Sequence, residues 1–297
     1  MGSKVAVVVR PNRRLKAPGP SATAIHSARP TLDCLDGRDR SEAFPSNARL
    51  AQVITTSVPS DWRELQDMVA RVLTECGMHV ETEKNVTTVR ELVEIDVYAE
   101  EVSDGRKNII LCECKHWKSA VPKTIVHAFR TVVGDFGANK GYIISSAGFQ
   151  SGAHEAAQNT NIELVTWPEF QSLFEPAWLK HFFIPRMTDD LDEFGTLVEP
   201  LRPEWYGDLP QDGKAAFDAL LWEYIELGVL VMDCSRYMTT VLGKPLPSLP
   251  IASKLRPPAA PLPADVIAAV GYRELYESVL KHSQKAVEKF RALREQR

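Results

Sequence analysis

Cysteine is scarce in this chain, and the five present are odd in number and form no even framework of pairs. A disulfide-stapled secreted fold is therefore disfavoured, and a reducing, cytoplasmic setting is expected. Long apolar runs are missing as well. The most apolar stretch, 215–232, carries Asp218, Glu223 and Glu226, which are costly in lipid, so it reads as a buried helix and no membrane span is expected. The short run Val5 to Val9 reaches Arg10 before an export-signal core of adequate length can form. Positive charge is not in excess. The formal net charge of -4 argues against coating nucleic acid by bulk electrostatics and leaves room for a local basic groove. What remains, 44% apolar and 25% charged residues over 297 positions, is the make-up of a globular chain with one sizeable core and a second module.

Residues 1–57 are rich in Pro, Ser, Ala and Arg without sustained periodicity, so they are expected to form a flexible tail that buries too little apolar surface to offset its ordering. Arg10, Arg13, Arg14 and Lys16 are read as solvated rather than phosphate-bound. The pattern changes at Asp61. Asp61 with Glu64 is a capping-box spacing, and Leu65, Met68, Val69, Val72, Leu73 and Cys76 recur at helical intervals before Gly77. An extended segment over 78–86 follows. From Leu92 to Ala99, Val93, Ile95, Val97 and Ala99 alternate with Glu94, Asp96 and Tyr98, which predicts a half-buried strand with the apolar set on one face.

The turn residues 103–106 then lead into Asn108-Ile-Ile-Leu-Cys-Glu-Cys-Lys-His-Trp-Lys-Ser119, so two strands are expected to pair as a hairpin. A helix marked by Ile125, Val126, Phe129, Val132, Val133 and Phe136 ends near Gly137. A strand over 141–145, a short helix near 152–158, a strand over 162–167 and a helix from Pro168 complete an α/β pattern, in which a mixed sheet is flanked by helices. The division expected is an α/β domain at 58–176, a helical region at 177–243 with a helix over about 211–242, a Pro-rich linker at 244–263 and a basic C-terminal helix at 264–297. Lys281, Lys285, Lys289, Arg291 and Arg294 on that last helix are read as a solvated face, and Leu275, Val279 and Phe290 as residues able to pack on a neighbour.

Alternation along the quoted strand puts Ile109, Leu111, Glu113 and Lys115 on one face and Ile110, Cys112, Cys114 and His116 on the other. A strand apolar on both faces rarely carries charge unless the charges are paired or bind a metal. The hairpin brings Asp96 near Glu113, giving two carboxylates and one ammonium at one spot. Carboxylates that close repel unless a divalent cation lies between them, and hard oxygen donors suit Mg²⁺, with Mn²⁺ as a substitute. Such a site fits phosphodiester hydrolysis: the ion polarises a phosphoryl oxygen and activates water, and Lys115 orients that water or stabilises charge on the phosphate.

Asp212-Gly213-Lys214 has the same acid-x-Lys spacing but sits in a polar turn entering a helix, with no strand before it and no second acid. Cys112, Cys114 and His116 share a strand face, yet no second pair completes a zinc spacing, so they are read as packing. His127 is isolated from any nucleophile signature and reads as a surface or packing residue. Lys118, Lys123, Arg130 and Lys140 are candidates to line a groove for DNA phosphates.

The order helix, hairpin with Ile95-Asp96, Glu113-Cys114-Lys115, helix, then Lys140-Gly-Tyr-Ile-Ile-Ser-Ser-Ala-Gly-Phe149 and 153–167 resembles the catalytic domain of Mrr-like restriction endonucleases, within the PD-(D/E)xK nuclease superfamily. The resemblance covers roughly 61–174. It implies a restriction-endonuclease-like fold and a Mg²⁺-dependent endonuclease acting on double-stranded DNA in restriction or defence. It also implies that Asp96 and Glu113 hold the metal, that the carbonyl of Cys114 adds a ligand and that Lys115 assists the attacking water. Gln66 falls where relatives often carry a glutamate on the opening helix and could bind a metal-ligated water through its amide. The alternative on the same fold is a module with weakened cleavage that binds DNA or protein. Target recognition, self-association as a homodimer and contact with a partner are the roles open to the C-terminal region.

Overall fold

The computed structural model describes residues 53–103, 105–254 and 257–296. Of the expected tail, residues 1–52 lie outside these. Residues 53–57, also assigned to the tail on composition, are instead built into the fold: Val53 forms a bridge with Gly271, and the Ile54 side chain is fully buried.

Helix α1 (Trp62–Glu75) starts where the cap predicts. The side chain of Asp61 accepts from the N–H of Glu64 at 2.8 Å, satisfying one of the donors left free in a first helical turn. The return half of the box is shifted by one residue, because Glu64 accepts from the N–H and hydroxyl of Ser60 rather than from Asp61. After the helix Gly77 turns the chain at φ +90°, a conformation costly for a residue with a Cβ.

Strands β1 (His79–Thr87), β2 (Leu92–Ser103) and β3 (Arg106–Lys115) form an antiparallel meander. Strands β4 (Lys140–Ser145) and β5 (Ile162–Thr166) then add in parallel, so the mixed sheet has the order β1-β2-β3-β4-β5. The crossovers use α2 (Lys123–Phe136) and α3 (Ser151–Ala157), and α4 (Trp167–Trp178) follows β5. Two apolar layers sandwich the sheet. On one face Leu111 and Ile143 meet Val126, Phe129 and Val133 of α2. On the other, Val97, Ile110, Cys112 and Cys114 meet Leu65, Val69 and Val72 of α1 and Phe170 of α4. Gly141 permits the close seating of α2: a Cβ there would come within 2.7 Å of Ile162, 2.8 Å of Val133 and 2.9 Å of Phe129.

One expectation for β2 needs correction. Val97 and Ala99 pack on the α1 face, whereas Ile95 and Val93 pack on the α2 face. The exchange has a local cause. The pairing of β1 with β2 is interrupted at Glu83, which would stand opposite Asp96 and has φ +51°. Val80 and Val86 on β1 change faces at the same place, so both strands turn over together where the first acid sits.

The chain continues from α4 through the π-helical turn Leu179–Phe183 into α5 (Ile184–Asp189) and α6 (Asp192–Leu197), then α7 (Gln211–Cys234), α8 (Ala264–Ala268) and α9 (Tyr272–Arg294). The helix expected over 211–242 stops at Cys234, because Ser235 is extended, and resumes only as a short π turn at Tyr237–Val241. The single C-terminal helix expected from Pro263 is two helices. Tyr272, Leu275, Val279, Ala286 and Phe290 of α9 are buried in the same apolar layer as α1 and α4. Its cations face acids on neighbouring elements: Lys281 with Asp265, Lys289 with Glu223, and Arg291 with Glu193. Within the Pro-rich stretch, Ile251 and Leu262 are buried.

Candidate active site

The site lies where β2 begins and β3 ends. Extending the register that pairs Val97 with Cys112 places Asp96 opposite Glu113. Asp96 Oδ2 accepts a 2.7 Å hydrogen bond from the backbone N–H of Cys114, which fixes the first acid against the strand carrying the second. Glu113 Oε1 and Lys115 Nζ form an ion pair at 2.5 Å, and both side chains are largely buried. The Glu113 carboxyl is held above its ordinary range by burial first and by the charge of Asp96 second, opposed by Lys115. Burial also pushes the Cys114 thiol far up, so this sulfur is an inert packing group and only its backbone serves the site.

Gln66 of α1 is 3% exposed, and its Oε1 has no hydrogen-bond partner. A buried acceptor left unpaired costs about 1–3 kcal/mol. Among the described residues no group of three or more His, Cys, Asp or Glu side chains converges. A cation between Asp96 and Glu113 would therefore have two carboxylates, a carbonyl at Cys114, and otherwise water or phosphate oxygens. That donor set fits Mg²⁺, which keeps several waters and takes one or two carboxylates.

The other predicted residues divide by position. Lys118 is exposed in the loop just beyond Lys115, and Lys123 begins α2 at the same end of the sheet. Arg130 is exposed two turns further along α2. Lys140 is not brought to the site. The parallel register sets Ser145 opposite Lys115 and Lys140 opposite Ile110, roughly 16 Å along the strand, and Lys140 pairs with Glu163 at 2.7 Å. Asp212-Gly213-Lys214 lies in the first turn of α7, away from any strand: Asp212 accepts from the N–H of Gly213, and Lys214 donates to the carbonyl of Gly207. His127 is exposed on α2.

Sequence reasoning missed the anchoring of the loop after β3. Ser146 donates from its N–H to the carbonyl of Lys115 (3.1 Å) and from its hydroxyl to that of Trp117 (3.2 Å). His116 Nε2 lies 3.2 Å from the carbonyl of Pro59. These contacts join segments far apart in sequence, and no local pattern announces them.

Residues 59–174 match the family model described as restriction endonuclease, the Mrr catalytic domain. No curated protein matches the chain. A crystal structure of a protein of unknown function, AF1548, is similar at 19% identity and a TM-score of 0.33, covering 62% of this chain and 99% of that one. Among the described residues no helix is long and apolar enough to cross a membrane. The matched segment contains α1, the whole sheet and the Asp96, Glu113 and Lys115 constellation, so the part of the chain similar to Mrr-type restriction endonuclease domains is the part that carries the candidate site.

Proposed function

We propose that this chain is a divalent-metal-dependent DNA endonuclease that hydrolyses phosphodiester bonds, working in the cytoplasm in restriction or defence against foreign DNA. The observation that carries the reading is the pinning of Asp96 by the Cys114 N–H beside the buried Glu113 and Lys115 pair. Asp96, Glu113 and the Cys114 carbonyl would hold Mg²⁺ or Mn²⁺, and Gln66 would accept from a water on it. When bound, such a cation neutralises phosphoryl charge and lowers the pKa of a water. The protein's own part is electrostatic and positional. Glu113 would help to hold the cation, and the neighbouring Lys115 ammonium would orient the attacking water or offset charge growing on the phosphate. Lys118, Lys123 and Arg130 meet the backbone of double-stranded DNA without reading its sequence.

A second reading, a nuclease-fold module with weakened cleavage that acts in DNA or protein binding, is favoured by Gln66, a neutral amide at the position where the resemblance leads one to expect a carboxylate. Incubation of the purified chain with modified and unmodified plasmid and Mg²⁺ or Mn²⁺ separates the two. Nicking lost in Asp96→Ala and Lys115→Ala supports the enzyme. Inert protein that binds DNA equally in all three forms supports the module.

A further inference from the structure

Half of the six tryptophans are exposed, and two of these stand at the catalytic end of the sheet. Trp117 is 40% exposed and follows Lys115 by two residues; its ring centroid is 5.7 Å from Lys115 Nζ. Trp62 is 50% exposed at the start of α1, with the Arg63 guanidinium 4.8 Å over its ring. The contact of His116 with Pro59 brings these two segments side by side. Neither indole is buried in the core, and Trp is a side chain enriched where one end is apolar and the other meets a partner or water.

The backbone beneath Trp117 is fixed although its ring is not buried. Ser146 holds the carbonyls on either side of His116, and His116 is itself braced against Pro59. A rigid, exposed indole flanked by Lys115 and Lys118 has the make-up of a base-stacking platform, in which cations follow the phosphates and the aromatic face takes a base. A paired base inside a duplex stack has both faces covered, so the ring can accept only a base that is unpaired or has left the stack. Bases repeat about every 3.4 Å along a strand. The separation from Lys115 therefore assigns the stacked base to a nucleotide within about two steps of the phosphate at the catalytic lysine.

We infer that Trp117 stacks on an unpaired nucleobase next to the scissile phosphate, so that the site prefers DNA that is single-stranded or locally unpaired where it is cut. The inference rests on the nuclease reading for the word scissile, whereas the stacking contact itself does not. Trp62 offers a second platform on the same lip.

The test uses the full-length chain without divalent metal. Binding of a single-stranded oligonucleotide, a duplex with one unpaired base and a perfect duplex is measured by fluorescence anisotropy across a salt series. Trp117→Ala is expected to weaken the first two by about 5- to 150-fold, the range for loss of one base–aromatic stack, and the perfect duplex by far less. Trp117→Phe should recover most of the loss. The slope of log Kd against log salt should be unchanged, because stacking releases no counterions. A 2-aminopurine at the unpaired position should be quenched by wild type and not by Trp117→Ala. Equal weakening on all three DNAs, an altered salt slope, no effect of Trp117→Ala, or a wild type that binds none of them each overturns the inference. The two readings fail separately. Wild type that nicks plasmid while Trp117→Ala binds normally sinks the stacking contact alone, and Trp117-dependent binding by a chain that never cleaves sinks the nuclease alone.

Discussion

Asp96 Oδ2 is hydrogen-bonded at 2.7 Å to the backbone N–H of Cys114, so one carboxylate is oriented by the main chain between the other acid and the lysine. This separates architecture from chemistry. Asp96→Asn keeps an oxygen to accept from Cys114 and should melt near the wild-type temperature. It should nonetheless lose at least the ~10-fold in metal affinity that follows from losing even an outer-shell partner, and cleavage with it. Asp96→Ala should also destabilise by about 1–3 kcal/mol, because a buried N–H is left unpaired. Thermal melts and Mn²⁺ titration calorimetry decide, and an Asp96→Asn variant that binds Mn²⁺ as wild type does would remove Asp96 from the metal site.

Gln66 predicts a trade between stability and activity. Its buried Oε1 has no partner, so Gln66→Leu should stabilise the metal-free protein by about 1 kcal/mol while lowering metal-dependent nicking. Gln66→Glu should act in the opposite sense: a carboxylate at a position 3% exposed lowers the metal-free melting temperature, and added Mg²⁺ raises it by more than in wild type. If Mg²⁺ shifts both variants as it shifts wild type, the amide faces no cation.

Local pattern carried much of the fold. The Asp61 cap, the glycines that turn the chain after α1 and α2, and the alternation along β3 are short-range signals, and the meeting of Asp96 with Glu113 follows from one tight hairpin. What escaped depends on partners distant in sequence. The rotation of β2 is set by Glu83 on the neighbouring strand. The cations of α9 are exposed, as their spacing predicts, but the acids they meet, such as Glu193 for Arg291, lie up to 98 residues away and could not be named. Lys140 resembled a groove residue until the parallel register put it at the far end of β4. The orphaned Gln66 acceptor is a property of packing that no spacing reveals.

The C-terminal region is locked to the domain that carries the sheet through a buried ion pair. Arg273 at the start of α9 makes a forked contact with Glu75 at the end of α1, and the Trp178 indole N–H donates to the same carboxylate at 2.6 Å. The pair's side chains are 13% and 12% exposed. Arg273→Ala strands a buried carboxylate and should cost about 3–5 kcal/mol, whereas Glu75→Gln with Arg273→Met should cost much less than the sum of the single changes. Urea denaturation of the four proteins closes the cycle. Additive losses would show that the pair is not coupled, and would leave α9 attached through its apolar face alone.

The thiols supply the prediction about pH. Cys76, Cys112, Cys114 and Cys234 are free and buried. Burial pushes all four thiols upward, Cys76 from an ordinary 9.0 to about 12 and Cys112, Cys114 and Cys234 in the same direction. A folded state that keeps these protons contributes stability that is complete below the unfolded thiol value and is lost as pH climbs through the folded one. Stability should therefore fall as pH rises from about 9 towards 12, and Cys112→Ala should flatten part of that fall. The thiolate is the reactive form, so a maleimide should modify none of the four in the native protein at mildly alkaline pH and all of them once urea unfolds it, as peptide mapping by mass spectrometry would show. Native-state labelling at Cys114 would mean that the end of β3 opens to solvent. The main-chain anchor of Asp96 would then be intermittent, and the site would need its substrate or cation to assemble it.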